Sequence, residues 1–113
     1  MKSVLIHICC APCSTVPLKR LISEYTASGF FYNPNIYPKS EYDFRIKEFK
    51  DYLEDQKIPC YCGNYNCEEW EEAVKDFHDE PEGGKRCEIC YRFRLRETAI
   101  LAKKLKYDYF TTT

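Results

Sequence analysis

Apolar positions along the chain fall into two regimes, short unbroken runs and stripes at helical spacing. Ser3-Val-Leu-Ile-His-Ile8 is a run of the first kind, with the length and β-branching of a strand buried on both faces. It passes directly into Cys9-Cys-Ala-Pro-Cys13. Ser14 and Thr15 then predict the start of a helix that tolerates Pro17 in its first turn, carries Leu18, Leu21, Ile22 and Tyr25 on one side and stops at Gly29. Phe30 to Tyr32 predicts a second strand, closed by the turn residues Asn33-Pro34-Asn35. A helix is expected from Ser40, with Asp43 at the capping-box position and Tyr42, Ile46, Phe49 and Leu53 as its buried stripe.

The same alternation continues to the last residues. Ile58 to Tyr61 predicts a third strand, Cys62 to Asn66 a loop, and Glu68 the opening of a helix with Trp70, Ala73, Val74 and Phe77 on one face. His78 to Arg86 is polar and glycine-rich, as surface loops are. From Cys87 a long helix is expected to bury Tyr91, Leu95, Thr98, Ala99, Ala102 and Leu105, with arginines and lysines outside. Tyr107 to Thr112 predicts a last strand. Strands alternating with helices imply an α/β fold, a parallel sheet with flanking helices, whose ligands bind at the carboxyl ends of the strands. Cys9 to Cys13 falls at such an end. No internal repeat or low-complexity segment is present.

Composition narrows the class. With 113 residues, 44% hydrophobic and 31% charged, the chain has the size of a single domain, and its seven Phe and ten Tyr supply a core that disordered sequences lack. A net charge of -1 gives no general attraction to phosphate backbones, so nucleic-acid binding would be local. The run Val4 to Ile8 is too short for a signal-peptide core or a membrane span, and the expectation is a cytoplasmic protein without membrane contact. Eight cysteines in a reducing compartment point to metal or redox chemistry rather than to disulfides.

Cys87-Glu-Ile-Cys90 sets two thiols at i and i+3 on the first turn of a helix, half of a metal site. The helix dipole, Lys85 and Arg86 favour thiolates there. The complementary half is Cys9 and Cys10, in a strand-to-helix loop. Four thiolates suit tetrahedral zinc or an iron-sulfur cluster, and spacing does not decide between them. Vicinal cysteines fit the paired C-x-x-C pattern of structural zinc poorly, which favours a cluster. A noncatalytic zinc module on the same four cysteines is the rival, and a thiol-disulfide oxidoreductase using Cys10 and Cys13 a third reading. Cys60, Cys62 and Cys67 receive no role, being explained equally by a second metal, by electron-donating thiols or by packing as small hydrophobes. His7 is a core histidine or a partner to a sulfur ligand. Lys85, Arg86, Arg92, Arg94 and Arg96 form a local basic patch suited to RNA phosphates or to solvent. No phosphate-binding glycine loop is present, so ATP and dinucleotides are unsupported.

Several of these segments, taken in order, resemble one family. His7-Ile-Cys-Cys-Ala-Pro-Cys-Ser14, Tyr32-Asn-Pro-Asn-Ile36, Glu41-Tyr42 with Arg45, Glu80-Pro-Glu-Gly-Gly84, Arg86-Cys-Glu-Ile-Cys-Tyr91 and Arg94-Leu95 together resemble the QueH family of epoxyqueuosine reductases. The resemblance implies a fold of the α/β superfamily that includes ATP pyrophosphatases, with cysteines in place of the phosphate loop. It implies an iron-sulfur oxidoreductase that reduces epoxyqueuosine to queuosine at the wobble position of a tRNA anticodon, fed by an external electron donor. By the family pattern Cys9, Cys10, Cys87 and Cys90 would ligate a 4Fe-4S cluster, and an additional iron belongs to the same expectation. The proton donor stays open among Tyr91, Asp43 and Glu82. Relatives continue beyond the Thr111 to Thr113 strand, so the expectation is a single iron-sulfur domain over 1–113 that is truncated at its C-terminus.

Overall fold

A first strand, β1 (Ser3–His7), is the pivot of the molecule. Around it the chain forms α1 (Ala11–Ile22), β2 (Thr26–Phe31), α2 (Lys39–Asp55), β3 (Cys60–Cys62), α3 (Cys67–Val74) with a short 3-10 turn, α4 (Lys85–Lys104) and β4 (Tyr109–Thr112). This computed structural model describes residues 2–9, 11–36, 38–63, 67–77 and 84–112, leaving aside the side chains at 13, 67, 69, 70, 74, 77 and 85–87. The strands form one sheet in the order β3-β2-β1-β4, and every pair is parallel. The architecture is the expected α/β one, compatible with the superfamily that includes ATP pyrophosphatases.

Side chains alternate across a strand, so β1 feeds two cores. Ile6 and Ile8 join Leu18 of α1 and Tyr42, Phe49 and Leu53 of α2 on one face. Leu5 joins Phe30, Tyr32 and, from α4, Phe93 and Ala102 on the other. The predicted stripe of α2 is the one observed, with Tyr42, Phe49 and Leu53 buried and Ile46 packed beside them.

Helices α2 and α4 end by the same route. Ile58 N–H donates to Leu53 O and Lys57 N–H to Glu54 O, and Tyr107 N–H and Lys106 N–H repeat that pattern to Ala102 O and Lys103 O. These are Schellman caps, with Lys57 at φ 58° and Lys106 at φ 63° in the left-handed position that glycine more often fills.

Four expectations are corrected. Helix α1 begins at Ala11, not at a Ser14 cap. The hydroxyls of Ser14 and Thr15 instead donate back to Ala11 O at 2.7 Å and Pro12 O at 3.0 Å, which leaves Pro17 in the second turn. The helix ends at Ile22, and Gly29 lies inside β2 because the sheet needs its missing side chain. A Cβ there would overlap Leu53 and come within 3.2 Å of Ile8 and Phe49. Helix α2 starts at Lys39 behind Pro38, with no side-chain cap, so Ser40 and Asp43 form no capping box. Proline's fixed φ makes the turn into the helix instead.

The fourth concerns α4, where Thr98 and Ala102 are buried as predicted but Phe93 takes the place expected for Tyr91 and Leu95. Phe93, Thr98 and Ala102 are buried, whereas Tyr91 is 57% exposed and Leu95 and Leu105 are also exposed. Apolar residues on this helix form two stripes about one residue apart, and burial selects the one carrying Phe93. The side chains of Trp70, Val74 and Phe77, and most of the His78 to Arg86 loop, lie outside the described residues.

Gly29 gives a direct test of this packing. Gly29→Ala is expected to cost about 1–3 kcal/mol, the usual penalty for adding a methyl to a filled core, read as a lower urea midpoint. An unchanged midpoint would mean that Leu53 moves aside freely.

Candidate metal centre

Parallel strands force each connecting helix to run back, so α1 and α4 both begin at the carboxyl edge of the sheet. The order β3-β2-β1-β4 reverses direction between β1 and β4, the place where open α/β sheets bind ligands. Residues 9–13 lead out of β1 at that point.

Cys9 follows β1 and is half-buried. Ile8 still bonds to the sheet, donating to Phe30 O at 2.9 Å. Alternation therefore carries position 9 toward the α4 side, after Leu5 and His7. Cys90, in the second turn of α4, is half-buried as well and packs against the core of Leu5, Phe30, Tyr32 and Phe93. The two segments thus share one face and one edge of the sheet. Cys10 lies outside the described residues, as do the side chains of Cys13 and Cys87, and with them the proposed Cys10–Cys13 redox pair. The backbone of Cys87 occupies the first turn of α4, whose N-cap Gly84 offers no side-chain bond, leaving amide N–H groups that favour an anion.

His7 underpins this edge. Its Nε2 is 2.8 Å from Tyr32 O, and a carbonyl can only accept, so Nε2 carries the proton. Nδ1 then accepts from the Thr112 hydroxyl at 3.1 Å. The ring ties β1 to both neighbouring strands. Burial, reinforced by the Arg94 cation, lowers its pKa to about 4 against the bond to Tyr32 O that raises it, so it is neutral near pH 7. Asn33 donates to Ile8 O at 3.1 Å, fixing the residue before Cys9. Of the two readings the sequence allows for His7, these bonds are those of a buried core histidine; Asn33 goes unforeseen, being a turn residue whose burial depends on packing.

Three buried polar atoms of the described residues have no partner: Asn33 Oδ1, Asn35 Oδ1 and Arg94 Nε. An unpaired buried arginine donor one helical turn after Cys90 is a feature that a sulfur-ligated, negatively charged group would satisfy, and cysteine thiolates are donors that suit such a group. The described residues alone contain no cluster of three or more His, Cys, Asp or Glu that could hold a metal.

The third cysteine group lies elsewhere. Cys60 and Cys62 pair with Gly29 and Phe31, whose side faces α2, and both are exposed. Partial desolvation by its neighbours still pushes the Cys62 thiol up, against Lys50 and with a smaller push from Cys60. The sheet separates them from Cys9 and Cys90, so the double variant Cys60→Ser/Cys62→Ser is expected to bind iron and sulfide as the wild type does. Loss of either would place β3 in the centre. The side chain of Cys67 is outside the described residues.

The basic patch divides. Arg92 pairs with Glu88 at 2.7 Å and Arg96 lies 3.6 Å from Glu97, with Arg96 also 4.9 Å over the Phe93 ring. These two line an open groove of about 660 Å³ with Ala73, Ile89, Phe93 and Leu95. Arg94 turns inward. Among the proton-donor candidates, Tyr91 and Asp43 are exposed and Glu82 lies outside the described residues.

A family model described as epoxyqueuosine reductase QueH matches residues 4–113. The chain belongs to that family. Among curated relatives, the epoxyqueuosine reductase QueH of Thermotoga maritima is 42% identical, with 100% of this chain and 59% of the relative covered. That of Streptococcus pyogenes serotype M1 is 35% identical, covering 97% and 46%, and that of Acinetobacter baylyi 37%, covering 97% and 51%. The chain spans about half the length of the relatives it matches.

Proposed function

We propose that this chain carries the metal centre of an epoxyqueuosine reductase, which removes the epoxide oxygen of epoxyqueuosine in a tRNA anticodon to give queuosine, with a 4Fe-4S cluster on Cys9, Cys10, Cys87 and Cys90. Family membership over residues 4–113 supports the reaction. The observation that carries the site is the convergence of the Cys9 and Cys90 segments on one face at the strand-order switch. A tRNA substrate goes with a cytoplasmic location, and no helix of the described residues is long and apolar enough to cross a membrane.

Opening an epoxide to an alkene takes two electrons and two protons and releases the oxygen as water, so an external electron donor is part of the reading. A bound cluster supplies single electrons, and an additional iron with an open position supplies a Lewis acid for the C–O bond. The chain supplies the frame. Two helix N-termini aim amide N–H groups at the carboxyl edge, His7 and Asn33 hold the strand ends, and the exposed Arg92 and Arg96 offer a surface for RNA phosphates.

Anaerobic purification followed by iron and sulfide analysis tests the centre, and nucleoside mass spectrometry of tRNA incubated with protein and a low-potential reductant tests the reaction. Equal iron and sulfide with queuosine formation is expected, and an additional iron would appear as iron in excess. A colourless, sulfide-free protein containing zinc would overturn the proposal in favour of a zinc module.

A further inference from the structure

Among the partnerless buried atoms Arg94 Nε stands apart, because a guanidinium keeps its proton under all ordinary conditions. Burying an unpaired donor on a cation is costly unless something accepts from it. Of the other arginines of α4 whose side chains are described, Arg92 has Glu88 and Arg96 has Glu97. No described carboxylate forms an ion pair with Arg94.

Its position says what the acceptor is. Arg94 stands four residues after Cys90 and seven after Cys87, on one stripe of the helix. Helical side chains lean toward the N-terminus, and Arg94 does so, its Cζ lying 5.9 Å from the Tyr91 ring one turn back. From there its charge reaches His7, two residues before Cys9. The cation therefore lies one helical turn after Cys90 and within electrostatic reach of the strand end that precedes Cys9, with an unpaired Nε–H.

We propose that Arg94 donates its Nε–H to a sulfur of the centre held by Cys9, Cys10, Cys87 and Cys90, and so sets the reduction potential of that centre. The inference rests on the metal-centre reading above. Hydrogen bonds to sulfur and net charge are principal controls of cluster potentials. A cation beside the cluster stabilises its more negative, reduced form and raises the potential. Arg94 is thus a positioning and tuning residue rather than a ligand.

The test is an EPR-monitored redox titration of the anaerobically reconstituted full chain, wild type against Arg94→Met and Arg94→Lys, with iron, sulfide and far-UV circular dichroism measured on each. Arg94→Met should keep its cluster and titrate at a more negative potential. Arg94→Lys, which keeps the charge but loses the planar donor, should fall between. An unmoved potential in Arg94→Met overturns the inference alone, whereas a wild type without sulfide removes the metal-centre reading itself. Should Arg94→Met fail to fold, pulsed EPR of wild type labelled with 15N-arginine decides: a coupling to the reduced cluster supports the bond, and its absence overturns it.

Discussion

Cys90→Ser is expected to fold and to lose its iron and sulfide almost entirely. Serine nearly reproduces the shape of cysteine, and Cys90 is half-buried at the edge of the core formed by Leu5, Phe30, Tyr32 and Phe93, so packing changes little. Metal affinity does not survive so easily, because an alcohol oxygen is a hard, weakly acidic donor where a soft thiolate is required. Changing even an outer-sphere partner typically costs on the order of 10–100-fold in metal affinity, and losing a ligand costs more. Far-UV circular dichroism should match the wild type while the brown colour, acid-labile sulfide and epoxyqueuosine reduction all disappear. Full retention of iron and sulfide in Cys90→Ser would mean that Cys90 is not a ligand. Comparison with Cys60→Ser/Cys62→Ser, on the opposite side of the sheet, separates a ligand effect from a general effect of losing thiols.

How far the amino-acid pattern reveals the fold depends on how many competing readings each segment allows. The stripe Tyr42, Ile46, Phe49, Leu53 has one apolar face and nothing opposite it, and it is buried as expected. Helix α4 offers Phe93 and Tyr91 on neighbouring stripes, and only the shape of the sheet below chooses between them. Gly29 is ambiguous for another reason: glycine ends helices through its freedom at positive φ, yet here it serves because Leu53 and Phe49 fill the space of its side chain. Such a requirement comes from residues far along the chain and leaves no local mark.

The candidate site is legible in a similar way. The cysteine pairs announce themselves by spacing and by lying at a strand end and a helix start. The groups that condition them do not. Arg94 looks like one of several arginines on a solvated face, and only burial distinguishes it from Arg92 and Arg96. Cys60 and Cys62 could have joined the centre on composition alone, and it is the register of β3 against Gly29 and Phe31 that sets them on the other side.

The metal-free chain is expected to lose stability on acidification through His7. Its pKa of about 4 in the folded protein lies below the ordinary histidine value of 6.5, so between those values the unfolded chain binds a proton that the native state refuses. Stability therefore rises with pH across that window and is lost as pH falls from 6.5 toward 4, and outside the window this residue contributes no slope. Each tenfold difference in proton affinity between the two states corresponds to about 1.4 kcal/mol, which makes the full swing about 3 kcal/mol, a large share of the 5–15 kcal/mol that roughly bounds the stability of domains. The physical origin is burial: Nε2 already donates to Tyr32 O, and a second proton on Nδ1, with the Thr112 hydroxyl turned to accept from it, would set an imidazolium in a desolvated place with the Arg94 cation adding repulsion. His7→Gln removes the titration while retaining a side-chain amide able to reach the same carbonyl. Urea unfolding of both proteins at about pH 7, 5.5 and 4.5, spanning the window in which the two states differ in bound protons, should show the wild type losing stability faster, with the difference accumulating only within it. Parallel curves across that range would show that the histidine is no less basic in the folded chain than in the unfolded one.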